Sequence, residues 1–260
     1  MKNYERKGVL NDRDNSPEGD SSQSPQVFFH WIAEARVARI LSMKKVAVLL
    51  SGSGVYDGSE IYEATFTLLA LEEAGVDVTC CAPDIPQMHV INHVTGDVAE
   101  GESRSVLVEA ARLARGEVTD LAKLSEAEFD ALILPGGFGA AKNLCDFAVK
   151  GPDCQVEPQV AGVVEAFHAA GKPIGLMCIA PAIGAALFGG KGIRLTIGND
   201  ADTASGLQAL GAEHVDCPVD EIVVDENNKV VTTPAYMLGP KMADVKAGID
   251  KLVAKVLEMA

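Results

Sequence analysis

From Met43 onward the chain alternates short, unbroken β-rich runs with segments whose apolar residues recur at helical spacing, and few architectures accept that pattern. "KKVAVLL" at 44–50 reads as a strand buried on both faces and ends at "SGSG". "EIYEATFTLLALEEAG" at 60–75 reads as a helix closed by Gly75. "VDVTCCAP" is the next strand, and "MHVINHVTGDV" leads out of it as a strand or hairpin. A helix over "SRSVLVEAARLAR" (103–115) precedes an irregular stretch, and "FDALILPGGFGAAKNL" then reads as strand, glycine turn and helix.

The alternation continues with helix "VEPQVAGVVEAFHAAG", strand "KPIGLM", helix "APAIGAALF", strand "IRLTIG" and helix "TASGLQALGA". It closes with a hairpin over "EIVVDENNKVVTTPA", turning at two asparagines, and an amphipathic helix from Pro240 to Met259. Strands alternating with helices predict an α/β fold: a doubly wound, mostly parallel sheet with helices on both faces, plus a C-terminal β-hairpin and helix. Residues 43–260 suit a single domain. In this class the active groups gather at the carboxyl ends of strands, so the segments that matter are "SGSGVYDGSE", "PGGFGAAKN", "CIAPA" and "TTPAYM".

Residues 1–42 stand apart. Six basic and six acidic side chains cancel there, so the whole formal charge of -15 belongs to the remainder. The first 26 residues are too polar to bury enough surface to fold, and 27–41 has the pattern of a short amphipathic helix. Acidic residues throughout argue against a transit peptide, so 1–42 is expected to be a disordered or dispensable extension and the protein cytoplasmic, with mitochondria as the alternative. The acidic balance disfavours nucleic acid and anionic membranes as partners. The longest apolar run, 173–190, is rich in Gly, Ala and Pro and makes a poor membrane span, so a soluble protein is expected. The six cysteines lack any C-x-x-C spacing and are expected to be free thiols, with no metal site.

Cys178 sits where strand "KPIGLM" turns into a helix, with Pro181 suited to that helix's first turn. Two readings stay open: a small buried hydrophobe, or a nucleophile whose thiol is made acidic by a helix N-terminus. Paired glycines in "LPGGFGAAKN" make either a tight turn or half an oxyanion hole. Glu60 and Glu63, in the first turn of their helix, are either partners of its dipole or pocket acids fit for proton transfer. Gly52, Gly54 and Gly58 miss the dinucleotide fingerprint by one residue, and Asp77 begins its strand rather than ending it, which argues against NAD binding. His168 and His214, the latter near Asp216, read as surface or packing histidines, whereas His89 and His93 fall beside a possible pocket without metal-site spacing.

On "LLSGSGVYDGSEIYEA", "APDIPQMHVINH", "EGESRSVLVEAARLARGEVTDL", "LPGGFGAAKNL", "AGKPIGLMCIAPA" and "NKVVTTPAYM", the chain from Met43 resembles the ES1/ElbB proteins of the DJ-1/PfpI superfamily. The resemblance implies a flavodoxin-like fold shared with class I glutamine amidotransferase domains. It implies Cys178 as nucleophile, Glu63 as the acid that contacts it, and the backbone N–H groups of Gly137 and Ile179 as oxyanion donors. Glu60, Gly136, Asn92 and His93 are expected to line the pocket. The implied activity is that of a glyoxalase without glutathione, metal or other cofactor, acting on a small dicarbonyl as a homodimer. The alternatives are a thiol sensor or partner-binding protein, a glutamine amidotransferase-like hydrolase and a nucleotide-binding reductase. "TTPAYM" lacks the histidine that amidotransferases carry near the last strands, which counts against glutamine hydrolysis.

Overall fold

The computed structural model describes residues 43–239 and 241–260; the expectations for 1–42 and for a helix start at Pro240 lie outside the described residues. Its centre is a seven-stranded sheet. The strands are β1 (Lys45–Leu49), β2 (Asp77–Ala82), β3 (Val118–Asp120), β4 (Ala131–Leu134), β5 (Ile174–Met177), and the pair Val223–Asp225 and Val230–Thr233. A separate two-stranded sheet pairs β6 (Arg194–Leu195) with β7 (Glu213–His214), so the last two strands of the main sheet are β8 and β9. The main sheet runs β3-β2-β1-β4-β5-β9-β8, parallel except for the antiparallel β8–β9 edge. Strand order reverses between β1 and β4, which opens a crevice at their carboxyl ends.

The described helices are α1 (Ile61–Glu73), α2 (Val106–Leu113), α3 (Phe138–Lys142), α4 (Phe147–Lys150), α5 (Pro158–Ala169), α6 (Pro181–Phe188), α7 (Ala201–Ala209) and α8 (Met242–Met259). Side chains alternate across each strand, and the period of two divides the core. Ala47, Leu49, Leu132, Leu134, Ile174 and Leu176 pack with Phe167 of α5 and Phe188 of α6. Val46, Val48, Ile133 and Met177 pack with Leu71 of α1 and Leu252 and Val256 of α8. Gly175 is what lets α8 lie close: a Cβ there would stand 2.8 Å from Leu252 Cδ2. Among the described residues no helix is long and apolar enough to cross a membrane.

Three local expectations change. The stretch after α2 read as irregular contains β3, a three-residue edge strand paired to β2 through Cys80↔Val118; so short an edge leaves no apolar run to read. "MHVINHVTGDV" forms only a bridge, Ile91↔Val98, around a turn, because its backbone is drawn to side chains instead: Ile91 N–H donates to Asp57 Oδ2 at 2.7 Å. "IRLTIG" contributes β6 but does not join the main sheet. Its backbone meets the hairpin through side-chain acceptors, Arg194 N–H to Asp225 Oδ2 (2.8 Å) and Thr196 N–H to Thr232 Oγ1 (2.9 Å). The β8–β9 hairpin forms as expected, with Asp225 Oδ1 accepting from the N–H groups of Asn227 and Asn228 at its turn.

Candidate active site

The carboxyl ends of β1, β4, β5 and β9 converge on Cys178. The β4–β5 and β5–β9 registers, Leu134↔Leu176 and Met177↔Thr233, set the residues that follow each strand side by side. Cys178 N–H continues the ladder to Thr233 O (3.0 Å), and then the chain turns abruptly: Cys178 has φ 59°, a left-handed conformation in a non-glycine residue. Such an elbow costs of order 1–2 kcal/mol, and the flanking strand and α6 hold it in place. Pro181 occupies the first turn of α6, where the missing N–H removes nothing.

Glu63 reaches the same point from the first turn of α1. Its side chain is fully buried, and two backbone donors fix it: Gly136 N–H to Oε2 at 2.8 Å and Tyr236 N–H to Oε1 at 3.1 Å. The carboxyl and Cys178 meet around Gly136, and the carboxyl together with the N–H groups of Gly137 and Ile179 acts on the thiol electrostatically. Gly136 has no room for a side chain, since a Cβ would strike Cys178 Cβ and lie 2.7 Å from Glu63 Oε2. Gly137 has φ 93°, which aims its N–H inward.

Burial dominates the electrostatics. It raises Glu63 from 4.5 to about 8, helped by the charge of Glu60 and opposed by the N–H groups of Tyr236 and Gly136 and by the Cys178 thiol. It also raises Cys178 well above the ordinary thiol range, with the charge of Glu63 adding to the shift and the N–H groups of Gly137 and Ile179 opposing it. Burial and the adjacent carboxyl thus oppose the acidifying effect that a helix terminus would have on the thiol. Helix α6 starts three residues beyond the cysteine, so its terminus does not offset the loss of water and the adjacent carboxyl.

Glu60 caps α1, its Oε2 accepting from Glu63 N–H at 2.7 Å, while its own N–H donates to Gly136 O at 2.9 Å. Cys178, Glu63, Glu60, Gly136, Gly137 and Ile179 are therefore brought together. Asn92 and His93 lie in an exposed turn, and their side chains hydrogen-bond to loop backbone. Asn92 Oδ1 accepts from Val94 N–H, while His93 Nε2 accepts from Tyr56 N–H and stands 3.7 Å from the buried Asp57. The glycine loop after β1 closes on itself, Gly54 N–H to Ser59 O and Gly58 N–H to Gly54 O, and Asn143 braces it by donating to the carbonyls of Ser51 and Asp57. His168 stacks on Phe188 and His214 Nε2 accepts from Ile197 N–H, so both pack structurally. Sequence reasoning missed Tyr236. Its contribution is a backbone N–H aimed by Ala235, itself left-handed at φ 46°, and neither fact leaves a mark in residue type.

Known proteins share this arrangement's scaffold. A human protein named glutamine amidotransferase-like class 1 domain-containing protein 3, mitochondrial, is 52% identical over 224 residues, 83% of each chain. The zebrafish ES1 protein, mitochondrial, is 35% identical over 208 residues, 74% of this chain and 76% of its own. The crystal structure of an isoprenoid biosynthesis protein with amidotransferase-like domain from Ehrlichia chaffeensis superposes with a TM-score of 0.78 at 36% identity, covering 83% of this chain and 99% of that one. The DJ-1/PfpI family profile matches residues 44–243, a span that contains the whole Cys178–Glu63 constellation. The chain belongs to the DJ-1/PfpI family.

Proposed function

We propose that this protein is a cofactor-independent glyoxalase that converts glyoxal, and methylglyoxal as a second substrate, to the 2-hydroxy acid. The observation that carries the reading is the buried Glu63 carboxyl, fixed by the N–H groups of Gly136 and Tyr236 and packed with Cys178 around Gly136. The ionised fraction of this carboxyl, which grows as pH climbs through about 8, is basic enough to take the thiol proton at the moment of attack.

The steps balance without an external oxidant. With Glu63 ionised, Cys178 sulfur adds to one aldehyde carbon, its proton passes to Glu63, and the new oxyanion, held against the Gly137 and Ile179 donors, takes that proton from Glu63 and leaves the carboxylate free again. Glu63 then removes the hydrogen of that carbon as a proton, leaving an enediol, and returns a proton to the neighbouring carbon. The first carbon is thereby oxidised to a thioester and the second reduced to an alcohol. Water cleaves the thioester, releasing glycolate and restoring the thiol.

The other readings fit less well. A peroxide-sensing thiol needs thiolate in the resting state, and burial at Cys178 works against it. Glutamine hydrolysis would want an imidazole at the end of β9, where a backbone N–H on Glu63 stands instead. A dinucleotide needs free N–H groups in the glycine loop, and those of Gly54 and Gly58 are engaged. The names of the relatives support a mitochondrial rather than cytoplasmic location. The test is glycolate formation from glyoxal by the purified protein and by Cys178→Ala; equal rates end the proposal.

A further inference from the structure

The charges around Cys178 all have one sign. Glu60 is buried, and burial raises its carboxyl above the ordinary range; the N–H groups of Glu63, Tyr62 and Ile61 at the head of α1 oppose that shift and favour the charged form, Glu60 Oε2 accepting from Glu63 N–H at 2.7 Å. Its charge bears on Glu63 and also on the Tyr236 hydroxyl, whose pKa burial and the charges of Glu60, Tyr62 and Glu63 all raise. Among the described residues no Lys or Arg forms an ion pair with Glu60 or Glu63 or faces the Tyr236 hydroxyl. Lys142 of α3 is turned elsewhere, donating to Tyr56 O at 3.1 Å and drawn toward Asp57. The rings of Tyr62, Phe66 and Tyr236 follow one another at 6.3 and 6.2 Å, adding apolar surface beside the carboxylates.

We propose that Glu60 is a specificity residue: it makes the approach to Cys178 hostile to anions, so the site takes uncharged small carbonyl compounds and rejects 2-oxo acids, phosphorylated aldehydes and amino-acid carboxylates. A buried negative charge at the head of α1, on a residue hydrogen-bonded to Glu63 N–H and with its own N–H on Gly136 O, acts through a medium of low effective dielectric, where one like charge is worth about 10-fold in an equilibrium or rate. The substrate-class part rests on the glyoxalase reading, and there the same charge has a second consequence. The reaction turns a neutral dicarbonyl into a carboxylate, which Glu60 repels, so product leaves an electrostatically unfavourable site.

The test does not require turnover. Iodoacetamide and iodoacetate are of nearly equal size and differ by one negative charge, and the thiolate fraction cancels from the ratio of their rates at one thiol. Peptide mass spectrometry at pH 8 gives that ratio for Cys178, with free cysteine as reference. Iodoacetate is expected to fall behind iodoacetamide by about 10-fold more at Cys178 than at free cysteine. Glu60→Asn, which keeps a good helix cap, and Glu60→Gln, which keeps the size, are each expected to recover most of that factor. If wild type already matches free cysteine, or if both folded variants keep the full factor, the proposal is overturned. Loss of glyoxal turnover with the ratio intact would instead remove the glyoxalase reading and leave the charge filter standing.

Discussion

Cys178 and Cys81 are both buried thiols on the central sheet, and burial raises the pKa of each, yet their surroundings have little else in common. Cys81 lies within β2 in extended backbone, its sulfur directed at Val48 O (3.6 Å), with only its neighbour Cys80 as a charge partner. Cys178 lies one residue past its strand in a left-handed elbow, with the Glu63 carboxyl packed beside it around Gly136 and the N–H groups of Gly137 and Ile179 acting on the thiol. The difference teaches that burial makes a thiol inert unless the same enclosure also supplies a base and donors for the charge that develops.

The most forceful way to break the comparison is to remove each sulfur in turn. Cys178→Ala is expected to lower glycolate formation by at least about 1,000-fold, because no other nucleophile stands at the elbow. Cys81→Ala is expected to leave the rate within about twofold while costing roughly 1 kcal/mol of stability from a small cavity. Glycolate assays and urea melts on both proteins decide it, and a Cys81 variant as inactive as the Cys178 variant would erase the distinction.

Glu63→Gln is the next largest effect. A proton-moving carboxylate contributes about 100-fold to 10,000-fold, so kcat should fall in that range while KM changes little. Retained turnover would shift the proton transfers to another group. A smaller effect separates the thiols by pH. Alkylation of Cys178 by iodoacetamide should climb through about 8, where the Glu63–Cys178 pair loses its first proton, whereas Cys81 should label slowly across the whole range. Equal labelling profiles for the two peptides would contradict the structure.

Much of this contrast was legible in the residues, and the reasons it stopped are specific. Unbroken runs such as "ALIL" and "IGLM" announce strands buried on both faces, and Pro181 marks the start of α6, so the elbow at Cys178 follows from local pattern alone. The choice of Glu63 over Glu60 does not: both sit in one turn of α1, and only the packing of Gly136 and Tyr236 from β4 and β9 decides which carboxyl meets the thiol. Which of the two readings of Cys178 weighs more was not legible either, because a helix terminus is visible in sequence, while the enclosure that opposes it is assembled from four strands. That the strand in "IRLTIG" stands outside the main sheet was hidden for a similar reason, since its partners Asp225 and Thr232 lie far along the chain.

The smallest expected effect concerns stability, and it places the two groups in different pH windows. Glu63 rises from 4.5 to about 8 on folding, so the native state holds a proton that the unfolded state has released between those values. Its contribution is fully present below about 4.5 and is lost as pH climbs through about 8, with an upper limit of roughly 5 kcal/mol from the size of the shift. Gln at this position never ionises. The stability of wild type minus that of Glu63→Gln should therefore decline between pH 5 and 9, whatever the offset caused by losing one carboxyl acceptor for the N–H groups of Gly136 and Tyr236. Cys81, raised from a much higher starting value, begins to matter only above about pH 9. Urea melts of wild type, Glu63→Gln and Cys81→Ala at several pH values test this: the Cys81 difference should stay flat over the window in which the Glu63 difference falls. A flat Glu63 difference would mean that the carboxyl is ionised throughout, held so by its two backbone donors, and that the proton shared with Cys178 sits on the sulfur.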